Sequence, residues 1–197
     1  MRQLTRLPQP NDLENNWKKW GEKYSKNKSL SNSHVFQWRT INGVKINSKL
    51  IPILLKMSDN HCHYCDKFPL GEGDLTIDHF CPKSLPEFYT IAYKWENLFL
   101  SCNHCQMCKM ENFDPVLLRP DDQNYKFQKY FIYNYSTHKL EPNPQLSPFE
   151  SVNAQKTIEI FNFNHPSMQT MRRHAYERFQ NDSIKNLLDY PFRFIFE

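Results

Sequence analysis

The sequence predicts an α+β fold, in which a small metal-pinned core carries mainly helical additions at both ends. Three observations predict it. Four of the six cysteines fall in two CxxC pairs, Cys62/Cys65 and Cys102/Cys105. The stretch between the pairs contains a short run that alternates as a strand does, and the flanking regions place apolar residues at the three- and four-residue spacing of helices. This divides the 197 residues into a basic, mainly helical region over 1–58, a core over 59–115, and a C-terminal region over 116–197 with a β segment and two helices.

In the first region, residues 12–28 read as one helix, with Asp12 as N-cap and Leu13, Trp17, Trp20 and Tyr24 on one face as core residues. A Ser- and Asn-rich stretch over 25–34 leads to a short segment at 35–46, and 49–57 reads as a second helix. In the core, 74–80 suits a strand, 84–93 a loop and 105–112 a short helix. Beyond it, 129–135 is a β-rich run ended by Ser-Thr-His-Lys, and 151–161 and 166–188 read as helices. The last has Pro166 near its start and Met168, Met171, Ala175 and Phe179 on one face.

Composition excludes several classes of function. At 39% hydrophobic and 15% aromatic residues, the chain has the apolar content that disordered chains lack. It contains neither GxxxxGK[ST] nor GxGxxG, so nucleotide binding has no motif support. No apolar run approaches the roughly 20 residues of a membrane span, and MRQLTRLPQP lacks the apolar stretch of a secretory signal, so a cytoplasmic location is expected. The formal charge of +4 permits a polyanionic partner without demanding one. Residues 1–60 hold eleven Lys/Arg against four Asp/Glu, and that charge on its own reads best as a solvated helical face.

The cysteine spacing points to zinc. Each CxxC forms a knuckle that aims two sulfurs at one ion, and two knuckles complete a tetrahedral four-thiolate site with no position for water, hence a structural one. A redox CxxC would occur once, in a βαβ setting. His61, His63 and His104 lie near enough in sequence to replace one cysteine, Cys108 is spaced to compete, and Cys81 reads as an ordinary thiol. Thirty-six residues separate Cys65 from Cys102, so the knuckles enclose a sizeable insert.

That insert reads Thr76-Ile77-Asp78-His79-Phe80-Cys81-Pro82-Lys83, followed by Trp95-Glu96-Asn97-Leu98-Phe99-Leu100-Ser101-Cys102 and Cys105-Gln106-Met107-Cys108-Lys109. In this order the elements resemble the HNH endonuclease family over about Cys62 to Lys109. The resemblance implies a ββα-metal core that hydrolyses phosphodiesters in nucleic acid, DNA or an RNA such as tRNA. It assigns His79 as the general base, Asp78 as ligand of a divalent ion (Mg²⁺ or Mn²⁺), and Asn97 as the middle asparagine that orients the imidazole and shapes the turn. Gln106 stands where many members have a metal-binding His; its amide oxygen suits Mg²⁺ better than the transition metals that imidazole prefers. Lys83 and Lys109 are candidate phosphate contacts.

The opening MRQLTRLPQP, the WENLxxSCxxC element, the DPVLLRPDD stretch and TIEIFNFNHPSMQTMRR are similar to the PtuB-type nuclease subunits of Septu and retron-associated antiphage systems. That similarity implies a bacterial effector whose partner is an ABC-type ATPase subunit of the PtuA type. Arg172, Arg173, His174 and Arg178 would face nucleic acid, that partner or solvent. Two other readings are a zinc-stabilised nucleic-acid-binding module whose HNH site is degenerate at Gln106, and a structural zinc scaffold.

Overall fold

The computed structural model describes residues 1–197, Glu72 excepted. The chain opens with helices α1 (Asn11–Glu14) and α2 (Trp17–Leu30). They are two helices where the periodicity predicts one, because the backbone leaves the helical region at Asn16 (φ −132°), whose side-chain amide donates to the Asp12 carbonyl at 3.0 Å. Asp12 is therefore not the N-cap. Pro10 holds that position, and the Asp12 carboxylate pairs with Lys49 at 2.8 Å.

Strands β1 (Thr40–Ile41) and β2 (Val44–Lys45) form a hairpin across Asn42 and Gly43, both at positive φ, the Asn-Gly pair that two-residue turns favour. Helix α3 (Ile46–Met57) follows at once and buries Ile46, Leu50 and Leu54 along one stripe.

The centre is an antiparallel hairpin of β3 (Thr76–His79) and β4 (Leu98–Ser101), with Asp78 opposite Phe99 and His79 opposite Leu98. Helix α4 (Asn103–Lys109) leaves it with Cys102 as N-cap and stops at Met110, whose φ of 45° breaks the helix before the expected residue 112. The strand-to-strand connection, expected as open loop over 84–93, winds into 3₁₀ segments at Pro86–Ile91 and Trp95–Asn97.

Alternation along β4 explains why the hairpin is covered on both faces. Leu98 and Leu100 join Leu13, Ile46, Leu50, Leu54 and Trp95 beneath the N-terminal helices. Phe99 points the other way, into a larger core with Tyr64, Phe80, Phe161 and Phe194. The C-terminal region supplies that second cover through α5 (Phe127–Tyr130), the β5 (Phe131–Asn134) and β6 (Lys139–Pro142) hairpin, α6 (Pro148–Ile160) and α7 (Pro166–Asn181). Helix α6 starts three residues before the expected 151, because Ser147 and Glu150 form a reciprocal capping box. Helix α7 ends at Asn181 and not near 188; Arg178 and Tyr190 both bond the carboxylate of its C-cap, Asp182.

Buried charge ties the ends to the centre. Arg6 reaches Asp121 at 2.6 Å and the carbonyls of Trp95, Glu96 and Leu98. Arg193 reaches Asp66 at 2.7 Å, Asp59 at 2.9 Å and the Ser58 carbonyl, with Arg193 and Asp66 both almost wholly buried. Among the described residues, no helix is long and apolar enough to cross a membrane.

Gly21 lets α2 lie against the turn at residues 86–91, since a Cβ there would sit 1.9 Å from the Thr90 carbonyl oxygen. Gly21→Ala is expected to destabilise the fold by about 3 kcal/mol in urea titration, as over-packing against rigid backbone does, while Gly71→Ala, with open space around it, changes stability little. Equal effects at the two positions would contradict this packing.

Candidate active site

The two CxxC knuckles converge. The sulfurs of Cys62, Cys65, Cys102 and Cys105 all lie within 4.8 Å of one another, all buried, and those of Cys65 and Cys102 are 3.6 Å apart. A tetrahedral zinc with bonds of about 2.3 Å requires sulfurs about 3.8 Å apart, so the four buried cysteines fit a structural zinc. Burial pushes the Cys65 and Cys105 thiols well up, whereas at Cys62 hydrogen bonds from the other three thiols outweigh burial and favour a thiolate. Four thiols competing for shared protons is the condition that a dication relieves.

The neighbouring histidines do not join the cluster. His63 donates from Nε2 to the Leu54 carbonyl at 2.9 Å and accepts from the Leu100 N–H at Nδ1, so it staples α3 to β4. His61 lies between the carbonyls of Asp59 and Tyr190. His104 faces the Asn162 carbonyl, with Cys108 at 3.8 Å from its ring, and Cys81 and Cys108 are half-buried free thiols outside the cluster.

On β3, Asp78 and His79 point to different surroundings, as neighbours on a strand do. Asp78 is buried; its Oδ2 accepts from the Tyr64 hydroxyl at 2.8 Å and lies 3.2 Å from the Lys109 ammonium. Burial raises its pKa, with Lys109 as the main opposing influence. Both contacts fall on Oδ2, which leaves Oδ1 for the groove that Asp78 lines.

The His79 ring is fixed on every side. Its Nε2 lies 2.9 Å from the Ala92 carbonyl, which can only accept, so Nε2 carries the hydrogen and Nδ1 keeps its lone pair. Nδ1 is buried with no hydrogen-bond partner among the described residues. Trp38 stacks on the ring at 5.7 Å between centroids, and Phe36 meets it edge-on at 5.0 Å. Burial, reinforced by the Lys83 charge, holds the imidazole well below its usual pKa and therefore neutral.

Among the described residues, the Asn97 side chain makes no hydrogen bond to His79. Its amide exchanges two hydrogen bonds with the Cys81 backbone, at 2.7 and 3.0 Å, and a third reaches the Ile91 carbonyl. It thereby fixes the loop that presents the Ala92 carbonyl to His79.

A groove of about 720 Å³ runs past these residues and is lined by Asp78, His79, Lys83 and Gln106, with Phe36 and Met107 on its sides. Gln106 enters it from α4, so a carboxylate and an amide, the oxygen donors a hard cation prefers, share one groove with the unpartnered imidazole nitrogen. Residues 62–110 match the family model of HNH endonucleases. This segment is an HNH domain. The Septu protein PtuB of Bacillus mycoides is 29% identical over 75 residues, a match covering 32% of this chain and 25% of that relative. The chain thus matches about a quarter of that curated relative's length.

Within the HNH domain one expected role needs correction. Lys109 is completely buried, donating to the His79 carbonyl at 2.7 Å and pairing with Asp78, so it cannot meet a phosphate at the surface. Lys83 lines the groove, with its ammonium 5.4 Å from the centre of the Phe36 ring. Arg172, grouped with possible surface contacts, is also buried and donates to the carbonyls of His138 and Phe163.

The sequence reading missed Tyr64, Phe36 and Trp38. Tyr64 sits inside Cys-His-Tyr-Cys and carries no signal beyond its position. Phe36 and Trp38 belong to the one aromatic cluster upstream of the core that is not at helical spacing, which was the available clue.

Lys109→Met is expected to destabilise the protein by about 3 kcal/mol, because it leaves the buried Asp78 carboxylate without its cation, and Lys83→Met by under about 1 kcal/mol. Chemical denaturation measures both. Similar small losses would show that the Lys109 pair is not held as described.

Proposed function

We propose that this chain is a metal-dependent nuclease that hydrolyses phosphodiester bonds in nucleic acid, with His79 as general base. The observation that carries the reading is the His79 tautomer: Nε2–H is tied to the Ala92 carbonyl, and Nδ1 is neutral, unpartnered and adjacent to a groove with two oxygen ligands. A base needs an available lone pair near neutral pH, and burial keeps this one unprotonated.

Asp78 and Gln106 would hold the divalent ion, Mg²⁺ or Mn²⁺, through oxygen, leaving further positions to water and substrate. Held there, such an ion would supply positive charge against the negative charge that develops during hydrolysis. The chain's own residues do the rest. His79 takes a proton from water at Nδ1. Tyr64 and Lys109 hold the Asp78 carboxylate at Oδ2, Asn97 holds the loop that anchors the imidazole, and Lys83 offers its ammonium to a phosphate.

The match to PtuB supports a place in a Septu-type system; on that reading the chain acts against phage in the bacterial cytoplasm, with an ABC-type ATPase subunit as partner. Separation of the two activities fits a chain without a phosphate-binding loop.

The test is cleavage of plasmid DNA and of total tRNA, with Mg²⁺ or Mn²⁺ or with chelator, in the presence and absence of the ATPase. Wild-type protein is expected to cut only with the divalent ion, and His79→Ala to lose about 10²- to 10⁴-fold in rate while keeping its zinc and its melting temperature. Undiminished cutting by His79→Ala removes the base assignment. Binding without cleavage under every condition favours the degenerate-site module.

A further inference from the structure

Two cavities meet at His79. Beside the groove lies a smaller, partly open inner cavity of about 290 Å³, lined among others by Trp38, Asn47 and Thr76. Phe36, His79, Lys83 and Gln106 line both, and of these Phe36 comes from outside the HNH domain.

Two of the side chains around the inner cavity carry a buried polar atom with no partner among the described residues: His79 Nδ1 and Asn47 Oδ1. Both are acceptors. Neither can satisfy the other, and the buried state of each is costly until a donor arrives. The smallest species that donates to two acceptors at once is water, which takes up about 30 Å³ and needs several polar partners to stay, a requirement this cavity meets where an apolar void would not.

Asn47 owes its place to α3. Ile46 and Leu50 are buried on either side of it, among the residues beneath β4, which fixes the rotation of the helix and turns position 47 toward the edge of the β3–β4 hairpin.

On the nuclease reading above, we propose that the inner cavity holds the attacking water between His79 Nδ1 and Asn47 Oδ1, which makes Asn47 a positioning residue supplied from outside the HNH domain. One O–H bond of the water breaks as its proton passes to Nδ1. Asn47 holds the second hydrogen, so that an oxygen lone pair is directed at phosphorus. The new P–O bond forms as the bond to the leaving oxygen breaks, and that oxygen takes a proton from solvent. Phe36 and Trp38 line the chamber on its apolar side, and both acceptor atoms are themselves buried.

Two measurements on the full chain test this. A high-resolution crystal structure is expected to show one ordered water within hydrogen-bonding distance of both atoms, and a chamber without it overturns the proposal. In cleavage kinetics, Asn47→Leu, which keeps the volume and removes the acceptor, is expected to lower kcat about 10- to 100-fold with KM and melting temperature unchanged. Asn47→Asp, which restores an acceptor oxygen, recovers most of that loss. Should the leucine variant not fold, Asn47→Ala replaces it. Wild-type kcat in the acceptor-less variant, or no recovery with Asp, overturns the proposal. An ordered water at both atoms in a protein that cuts no substrate would leave the chamber standing and remove the nuclease reading instead.

Discussion

Convergence of two thiolate pairs 36 residues apart is the constraint on which the rest of the molecule depends. Closing so long a loop costs chain entropy, and the hairpin inside it is only four residues per strand, too short to be stable alone. A structural zinc in small peptides contributes on the order of 10 to 16 kcal/mol, enough to dominate that balance. The same cysteines set direction as well as closure. Cys102 is the N-cap of α4, so the second knuckle fixes the axis of the helix that carries Gln106 and Lys109. The first is followed by Asp66 at a φ of 60°, where Arg193 locks the C-terminal segment against it.

From this clamp a chain of buried contacts leads to the groove. Tyr64, between the first pair of cysteines, bonds Asp78; Lys109 joins Asp78 to the His79 carbonyl; Asn97 holds the loop whose Ala92 carbonyl sets the His79 tautomer. Each link is buried, where electrostatic interactions are strong and unpaired groups are costly, so the links stand together. The flanking regions then close the two faces of the hairpin. Phe36 and Trp38 come from one of them and touch the imidazole directly, so residues outside the HNH domain pack against its buried histidine.

How much of this the sequence shows depends on the range of the interaction. The cysteine pairs and the strand at Asp78 and His79 are local patterns, and local patterns are legible. The end of α7 is not, because Asp182 meets Tyr190 only after the chain turns back. The break at Asn16 escaped for the opposite reason: apolar spacing runs straight through it, and a single side-chain hydrogen bond decides. Lys109 reads as a surface lysine because nothing nearby in sequence announces a buried carboxylate 31 positions away. Asn47 carries no motif at all, and its interest comes only from the cavity it shares with His79.

The central claim is that one metal ion organises both knuckles and, through them, the groove. Zinc-edge X-ray absorption on purified protein tests it most directly. The account predicts one zinc per chain bound by four sulfurs at about 2.3 Å with no oxygen or nitrogen in the first shell. A folded chain without stoichiometric zinc, or a shell that includes histidine nitrogen or water, would contradict it.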